Sequence, residues 1–561
     1  MSPLACDLLV IGSGAAGLTA AVTAARSGLT VIVLEKEAVF GGASARSGGG
    51  LWIPGSPQAV AAGITERCED LLTYFRTHAG PLYDPARVTA FLDHGPEMVA
   101  FIEQATPVRF TLLPDMTDYH PHYPGGSAGG RSIAAMALNA RMLGRDRTRL
   151  RRPLAASMFL SMQIGIPDGG HFMAAGRRLG SFLYVARSMV RLGFDLVTRG
   201  RTMRLAGGNA LIGGLAAAAI DSGVRILTDA PAQRLILRDG TVTGAVATID
   251  GKDNEIAATR GVLLATGGFP HDAGRRAALV PHIAAQSEAW AMLPYGNSGD
   301  GLRMGEAIGA AVEDRMALSI GMAPLSRIDT REGSMEMVPV FGTRGGPGVI
   351  AVRRDGRRFA DEASSYHDFG KALLDGDPVA WLIANHRALR RYGLGAVRPF
   401  PLPIGRHLRS GYLKRAATIG ALADAIGVDR AALERTVEAH DRHAATGDDP
   451  EFDKGGNAYD LGRGDPDHRP NPCVGPLGAG PYYAVRIVAG AIATFAGLRT
   501  DEHARVIDTD GHAIPGLYAA GNDLSSITGG DYIGGGCTLG PGMTFGYIAA
   551  RHAASDHIGR M

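Results

Sequence analysis

Gly12, Gly14 and Gly17 are spaced for close backbone contact with a pyrophosphate, and an acid suited to ribose hydroxyls follows at Glu35, next to Lys36. In such a unit Gly12 makes the tight turn and Gly14 admits the phosphates. Ala15 and Ala16 open a helix whose free N–H groups and dipole favour anions, and Gly17 lets helix and strand pack closely. A second cluster comes directly after, with Gly42, Ala43, Ser44, Ser47, Gly48 and Gly49, whose backbone can run along a bound cofactor while its serines supply hydroxyls. Two later segments point to the same site. Gly267 and Gly268 form a turn after an apolar run at 262–265, and Gly521 with Asn522 ends the segment PGLYAAGN.

The elements that must position these residues are legible around them. DLLVI (7–11) reads as a buried strand, the Ala-rich stretch to Arg26 as a helix, and TVIVL (30–34) as a second strand. This is a dinucleotide-binding unit, and FAD is favoured over NAD because the unit opens the chain. Near the other end, a helix is expected over 541–554, its N-terminus facing the negative charge of a reduced flavin, with Leu539 assigned to the same site. The fold class is therefore α/β: a Rossmann-like, discontinuous FAD-binding domain built from 1–275 and 486–561, with an inserted α+β capping and substrate domain at 276–485. Within the latter the pattern reads as helices and irregular segments. The periodicity of Ile419, Leu422, Ile426, Leu433 and Val437 marks helical scaffold, and 456–480 reads as a surface loop.

Composition narrows the function class. The chain has 561 residues, enough for two substantial cores, and its 79 glycines and 45% hydrophobic content suit a loop-rich cofactor enzyme. Lys and Arg number 57 against 55 Asp and Glu, which argues against a nucleic-acid binder. Cys6, Cys68, Cys473 and Cys537 form no CxxC pair, so a reducing, cytoplasmic setting is expected, with Cys537 packed. Residues 1–11 lack a basic leader, and no apolar run is long enough to span a bilayer. His120 and His122 have no acid or third histidine at ligand spacing, so no metal is expected. The helical insertion 151–206 has Leu179, Phe182, Leu183, Val190 and Val197 on one face and Arg177, Arg178, Arg187 and Arg191 largely on the other. It reads either as a helix capping the flavin domain or, over 177–201, as an interfacial helix giving peripheral membrane contact.

Together, DLLVIGSGAAGLTAA, EKEAVFGGASARSGGG, LLATGGF (263–269), GNSGDGLRMGEAIGA (296–310) and GLYAAGN resemble the fumarate reductase/succinate dehydrogenase flavoprotein superfamily. DYHPHYPGGSAGGRS (118–132), DGRRFADEASSY (355–366) and GGDYIGGGCTLGPGMTFGY (529–547) narrow the resemblance to the 3-ketosteroid dehydrogenases. The dicarboxylate reductases carry a substrate-binding arginine in the terminal loop, where this chain has Tyr532 among glycines. No histidine lies in the 44–50 cluster, so the FAD is expected to be noncovalent. Asp361-Glu362 stands where relatives commonly have Asn-Glu, and Tyr532 to Gly536 where they commonly have Tyr-Ala-Gly-Pro-Gly.

The resemblance implies desaturation of a cyclic ketone beside its carbonyl, most directly a 3-ketosteroid at its 1,2 bond, with a small hydrophobic ketone as substrate and an unidentified electron acceptor. Desaturation of another alicyclic ketone or of the steroid 4,5 bond, or a fumarate/enoate-type reduction, are the alternatives. Tyr532 and the N–H of Gly536 would polarise the carbonyl. By resemblance Tyr366 is the base and Tyr119 its partner. A phenol of ordinary pKa near 10 needs that pKa lowered or its proton relayed.

Overall fold

The computed structural model describes residues 4–200, 202–281, 291–329, 335–377, 379–399 and 402–555. The apolar run at the start lies in a strand, Leu4–Ile11, whose last four residues are all buried. It pairs in parallel with Val31–Leu34 on one side and Lys252–Leu264 on the other. Arg225–Leu227 extends the sheet beyond Val31–Leu34, also in parallel. On the far side, Ala513–Ala519 joins Lys252–Leu264 in parallel, with Val262 opposite Leu517. Thr241–Ile249 and Ala232–Arg238 add antiparallel strands, and the sheet has eight in all.

Two helices cover the middle of this sheet. Ala15–Arg26 follows the first strand, and Leu539–Ser555 packs directly against it. The approach is so close that a Cβ on Gly546 would stand 2.4 Å from the Ala16 carbonyl oxygen. Parallel strands covered on both faces end together at one edge, and ligands bind in the crevice outside that edge. Here Gly12, Glu35, Ala265 and Ala520 all leave their strands at that edge.

Over 276–485 the structure departs from the sequence reading of helices and irregular segments. A six-stranded antiparallel sheet runs in the order Met335–Pro339, Ile320–Asp329, Tyr482–Thr494, Val379–Asn385, Val349–Val352, with Leu413–Ala416 also on Tyr482–Thr494. The first seven residues of Ile320–Asp329 are buried, and in Tyr482–Thr494 Arg486 alone is exposed. Strands covered on both faces lose the polar–apolar alternation that betrays a strand. The expected helical scaffold is present as Ile419–Ile426 and Arg430–Ala444, with its periodic apolar residues buried. The 456–480 segment is largely an irregular surface loop, with many of its residues exposed. It holds the helix Ala458–Leu461 and buries Tyr459, Asp460, Cys473 and Val474.

The insertion forms two helices, Ile166–Ala174 and Leu179–Arg199; Arg201, which ends the expected interfacial stretch, lies outside the described residues. Only Ser181, Leu192 and Asp195 of the longer helix are buried. Its apolar side faces outward, Val190 at 75% and Val197 at 88% exposure. A helix capping the flavin sheet would have hidden that face, so the capping reading fails. Arg177 and Arg178 tie its start to Asp465 and Asp467 at 3.4–3.7 Å. Among the described residues no helix is long and apolar enough to cross a membrane.

Candidate active site

A cavity follows the carboxyl edge of the parallel strands and extends to the antiparallel sheet. Gly12, Gly14, Ala15, Ala16, Glu35, Lys36, Gly42, Ala43, Ser44, Ser47, Gly48, Gly49, Gly267, Gly521, Asn522 and Leu539 line it. Gly17 and Gly268 do not; they sit behind the wall. A Cβ on Gly17 would meet the Gly12 carbonyl oxygen at 2.1 Å, and one on Gly268 would meet Thr494 Oγ1 at 2.0 Å. Both glycines allow the wall to close without touching what fills the cavity.

The cradle has the shape and donors a pyrophosphate needs. Gly12 takes φ +113°, and its Cβ would stand 2.1 Å from the Ala265 carbonyl oxygen. At Gly14 the only atom near a Cβ is Ser44 Oγ, 3.5 Å away, so the side facing the cavity is open. Gly14 provides no side-chain cap to the helix Ala15–Arg26, which leaves the first-turn N–H groups for an anion. One of these is already used, since the Ala15 N–H donates to Ser44 Oγ at 3.0 Å. Glu35 is buried. Its carboxylate accepts from the Ser13 hydroxyl and from the Glu37 N–H, and burial pushes its pKa up against those bonds. Ser47 is engaged within its own loop, donating to the Ser44 carbonyl and accepting from Gly49 N–H. Both serine hydroxyls are engaged within the cradle.

The other end of the cavity is aromatic. Tyr119 comes from the segment between Phe110–Leu112 and Ser132–Ala135, and its N–H donates to the Ile533 carbonyl at 3.0 Å. Tyr366 is the first residue of the helix Tyr366–Leu374, capped by the Ser365 hydroxyl. Tyr532 lies in the loop before the last helix, with its N–H on Asp531 at 2.9 Å. From these three elements the rings converge: Tyr119 to Tyr366 is 5.1 Å, Tyr366 to Tyr532 5.1 Å and Tyr119 to Tyr532 5.7 Å between centroids. Gly536 lines the same space at φ +103°, where a Cβ would stand 2.6 Å from the Gly50 carbonyl oxygen.

Burial pushes all three phenols up. On Tyr119 the Arg463 guanidinium and the Tyr366 contact act the other way, whereas Tyr119 and Tyr532 push Tyr366 further up.

The family model of the FAD binding domain matches residues 7–539. The chain belongs to this FAD-binding family. It is 39% identical over 560 residues to the 4-oxocyclohex-2-ene-1-carboxylate 5-dehydrogenase of Sinomonas cyclohexanicum, covering 98% of this chain and 94% of the relative. It is 35% identical to the 3-oxosteroid 1-dehydrogenase of Mycobacterium tuberculosis strain H37Rv, covering 99% of each. The crystal structure of 3-ketosteroid delta1-dehydrogenase from Sterolibacterium denitrificans, in complex with 1,4-androstadiene-3,17-dione, superposes with a TM-score of 0.91 at 34% identity, covering 98% of this chain and all of that one. This FAD-binding flavoprotein is an oxidoreductase, with FAD as its cofactor.

Several neighbours of the tyrosines escaped the sequence reading of this flavoprotein. Thr538 Oγ1 lies 3.5 Å from the Tyr532 hydroxyl, and Met116, Phe341, Ile492 and Arg463 line the aromatic end. Behind Tyr532 the His120–His122 segment does find acids, but across the fold. His120 meets Asp368 at 2.7 Å, His78 meets Asp531 at 2.7 Å, and ligand-capable atoms of His78, His120 and Asp531 lie within 4.8 Å of one another. The Lys371 ammonium already supplies a cation there, 2.9 Å from Asp368 and 3.5 Å from Asp531. Against the upward push of burial, His78 and Lys371 hold Asp531 well below the usual carboxylate range. No spacing in the sequence could have signalled this cluster, because its members are far apart along the chain.

Proposed function

We propose that the protein desaturates a cyclic ketone beside its carbonyl, the 1,2 bond of a 3-ketosteroid or the corresponding bond of a smaller ring ketone. The observation that carries this reading is the convergence of three phenols and Gly536 in the cavity that also holds the dinucleotide cradle. Relatives that act on steroids and on an oxocyclohexene carboxylate share a six-membered ring ketone, which supports the class.

Tyr532 donates its hydroxyl, and Gly536 its N–H, to the ketone oxygen, which makes the neighbouring C–H acidic. Losing such a donor typically costs about 2.7–4 kcal/mol of transition-state stabilisation. Tyr366, in the reacting form a phenolate, takes the proton from the carbon next to the carbonyl and becomes a neutral phenol, with Tyr119 beside it as its partner. The second hydrogen leaves the adjacent carbon with its electron pair, so the product gains a double bond conjugated with the ketone. Bound FAD supplies the acceptor for that pair. Apolar lining excludes water from the ring.

Anaerobic stopped-flow mixing with a ring ketone tests the assignment. Tyr366→Phe should still bind the ketone but reduce its flavin about 10²–10⁴-fold more slowly. Tyr532→Phe should weaken both binding and reduction, and Tyr119→Phe should be milder. Parental reduction by Tyr366→Phe would remove it as the base.

A further inference from the structure

The charges lining the cavity are matched at one end and unmatched at the other. At the dinucleotide end Lys36 pairs with Asp300, Arg151 pairs with Glu37, and Glu35 is held by Ser13. At the aromatic end the described wall carries apolar and hydroxyl groups, and its charge comes from Arg463. Its guanidinium lies over the Tyr459 ring, 4.6 Å from the centroid, and Tyr459 in turn packs 5.0 Å from Tyr119. Phenols and burial are the influences on it, and among the described residues no carboxylate pairs with it.

The described buried arginines all have partners, though not all a carboxylate: Arg87 donates to Ser525 while its Nε has none. Arg358 is held by Glu362 and Asp449, Arg131 by Glu66 and Asp118, and Arg344 donates to the carbonyls of Glu362 and Ser364. A partly buried guanidinium with no anion beside it can take one, and its planar fork of five donors matches a carboxylate bidentately. Arg463 is partly accessible, and it lines the cavity beside the tyrosines.

We propose that Arg463 receives a carboxylate carried by the substrate, on the part of the ring remote from the ketone held by Tyr532 and Gly536. The substrate class is then a small cyclic keto acid, because a neutral steroid offers this guanidinium nothing to pair with. The inference rests on the ketone-desaturation reading.

The probes are 4-oxocyclohexanecarboxylate, its methyl ester and a neutral 3-ketosteroid, mixed anaerobically with the FAD-loaded protein. The acid should show a KM roughly 10–10²-fold below that of the ester. Arg463→Gln should raise the KM of the acid more than that of the ester, so that the preference for the acid is lost, and Arg463→Lys should restore part of it. In calorimetry, cyclohexanecarboxylate, which has no ketone to activate a neighbouring C–H, should bind the parental protein and lose that binding in Arg463→Gln. Equal use of acid and ester by the parental protein overturns the proposal without any variant. So does an Arg463→Gln that slows acid and ester alike, which would make Arg463 a counter-ion of Tyr119. Flavin reduced by ester or steroid but not preferentially by the acid removes the Arg463 role alone, whereas flavin reduced by none of the three removes the ketone reading as well.

Discussion

Asp361 shows how one residue can carry a pH dependence of stability. Its neighbour Glu362 is fully buried and held by Arg358 at 2.9 Å and Lys454 at 3.2 Å, so it stays charged. Asp361 instead faces Asp460. Burial raises both carboxyls, and Asp361 adds to the rise on Asp460, which reaches about 8. The folded protein therefore keeps a proton that the unfolded chain releases near pH 4, and stability should fall as pH rises from about 4 to about 8, then level off. Asn, which the resemblance places here, would offer an N–H to Asp460 at any pH. Asp361→Asn should thus flatten the decline, with a thermal midpoint that changes less between about pH 5 and about pH 9 than that of the parental protein. Parallel midpoints in the two proteins would show that the pair shares no proton.

At the scale of elements, the insertion helix Leu179–Arg199 holds Phe182, Leu183, Val190, Phe194 and Val197 out in solvent, with Arg187 and Arg191 exposed beside them. An apolar face flanked by cations suits the boundary of an anionic lipid surface. The neighbouring helix begins at Ile166, which lines the cavity, so the exposed face and the site are joined through one short hairpin. The protein should co-sediment with anionic vesicles, less in high salt, and Val190→Glu with Val197→Glu should abolish the association. Equal recovery with and without vesicles would leave the helix without a lipid role. The sequence made the amphipathic pattern of this helix plain but not the side on which the rest of the chain would pack. The dinucleotide unit was legible for the opposite reason: strand, glycine turn, helix and acid are all local between Leu4 and Glu35. Arg463 was illegible because its meaning depends on Tyr459 and Tyr119, which reach it only through tertiary packing. The second sheet was illegible because burial on both faces erased its alternation.

For the whole molecule, cofactor attachment follows from what surrounds the cavity. Neither histidine nor cysteine is among its described lining residues, and Cys537, pushed up to about 12 by burial, is buried outside it. Acid precipitation should therefore release intact FAD into the supernatant; flavin remaining with the polypeptide would contradict this. Returning FAD to the stripped protein should raise its thermal midpoint with concentration, by about 2.7 kcal/mol of added stability at a hundredfold excess over Kd. The parallel strand Ala513–Ala519 has a further consequence for how the protein is made. Its partner Lys252–Leu264 leaves the ribosome first, and the strand that covers Val262 to Leu264 does not yet exist. At roughly 5–20 residues per second the wait lasts on the order of tens of seconds, with a hydrophobic strand edge open to wrong partners. Until Gly521, Leu539 and Gly542 are translated, the nascent chain also lacks part of the cavity wall. FAD cannot be captured in full during synthesis, and the region that will hold the cofactor is the last to close.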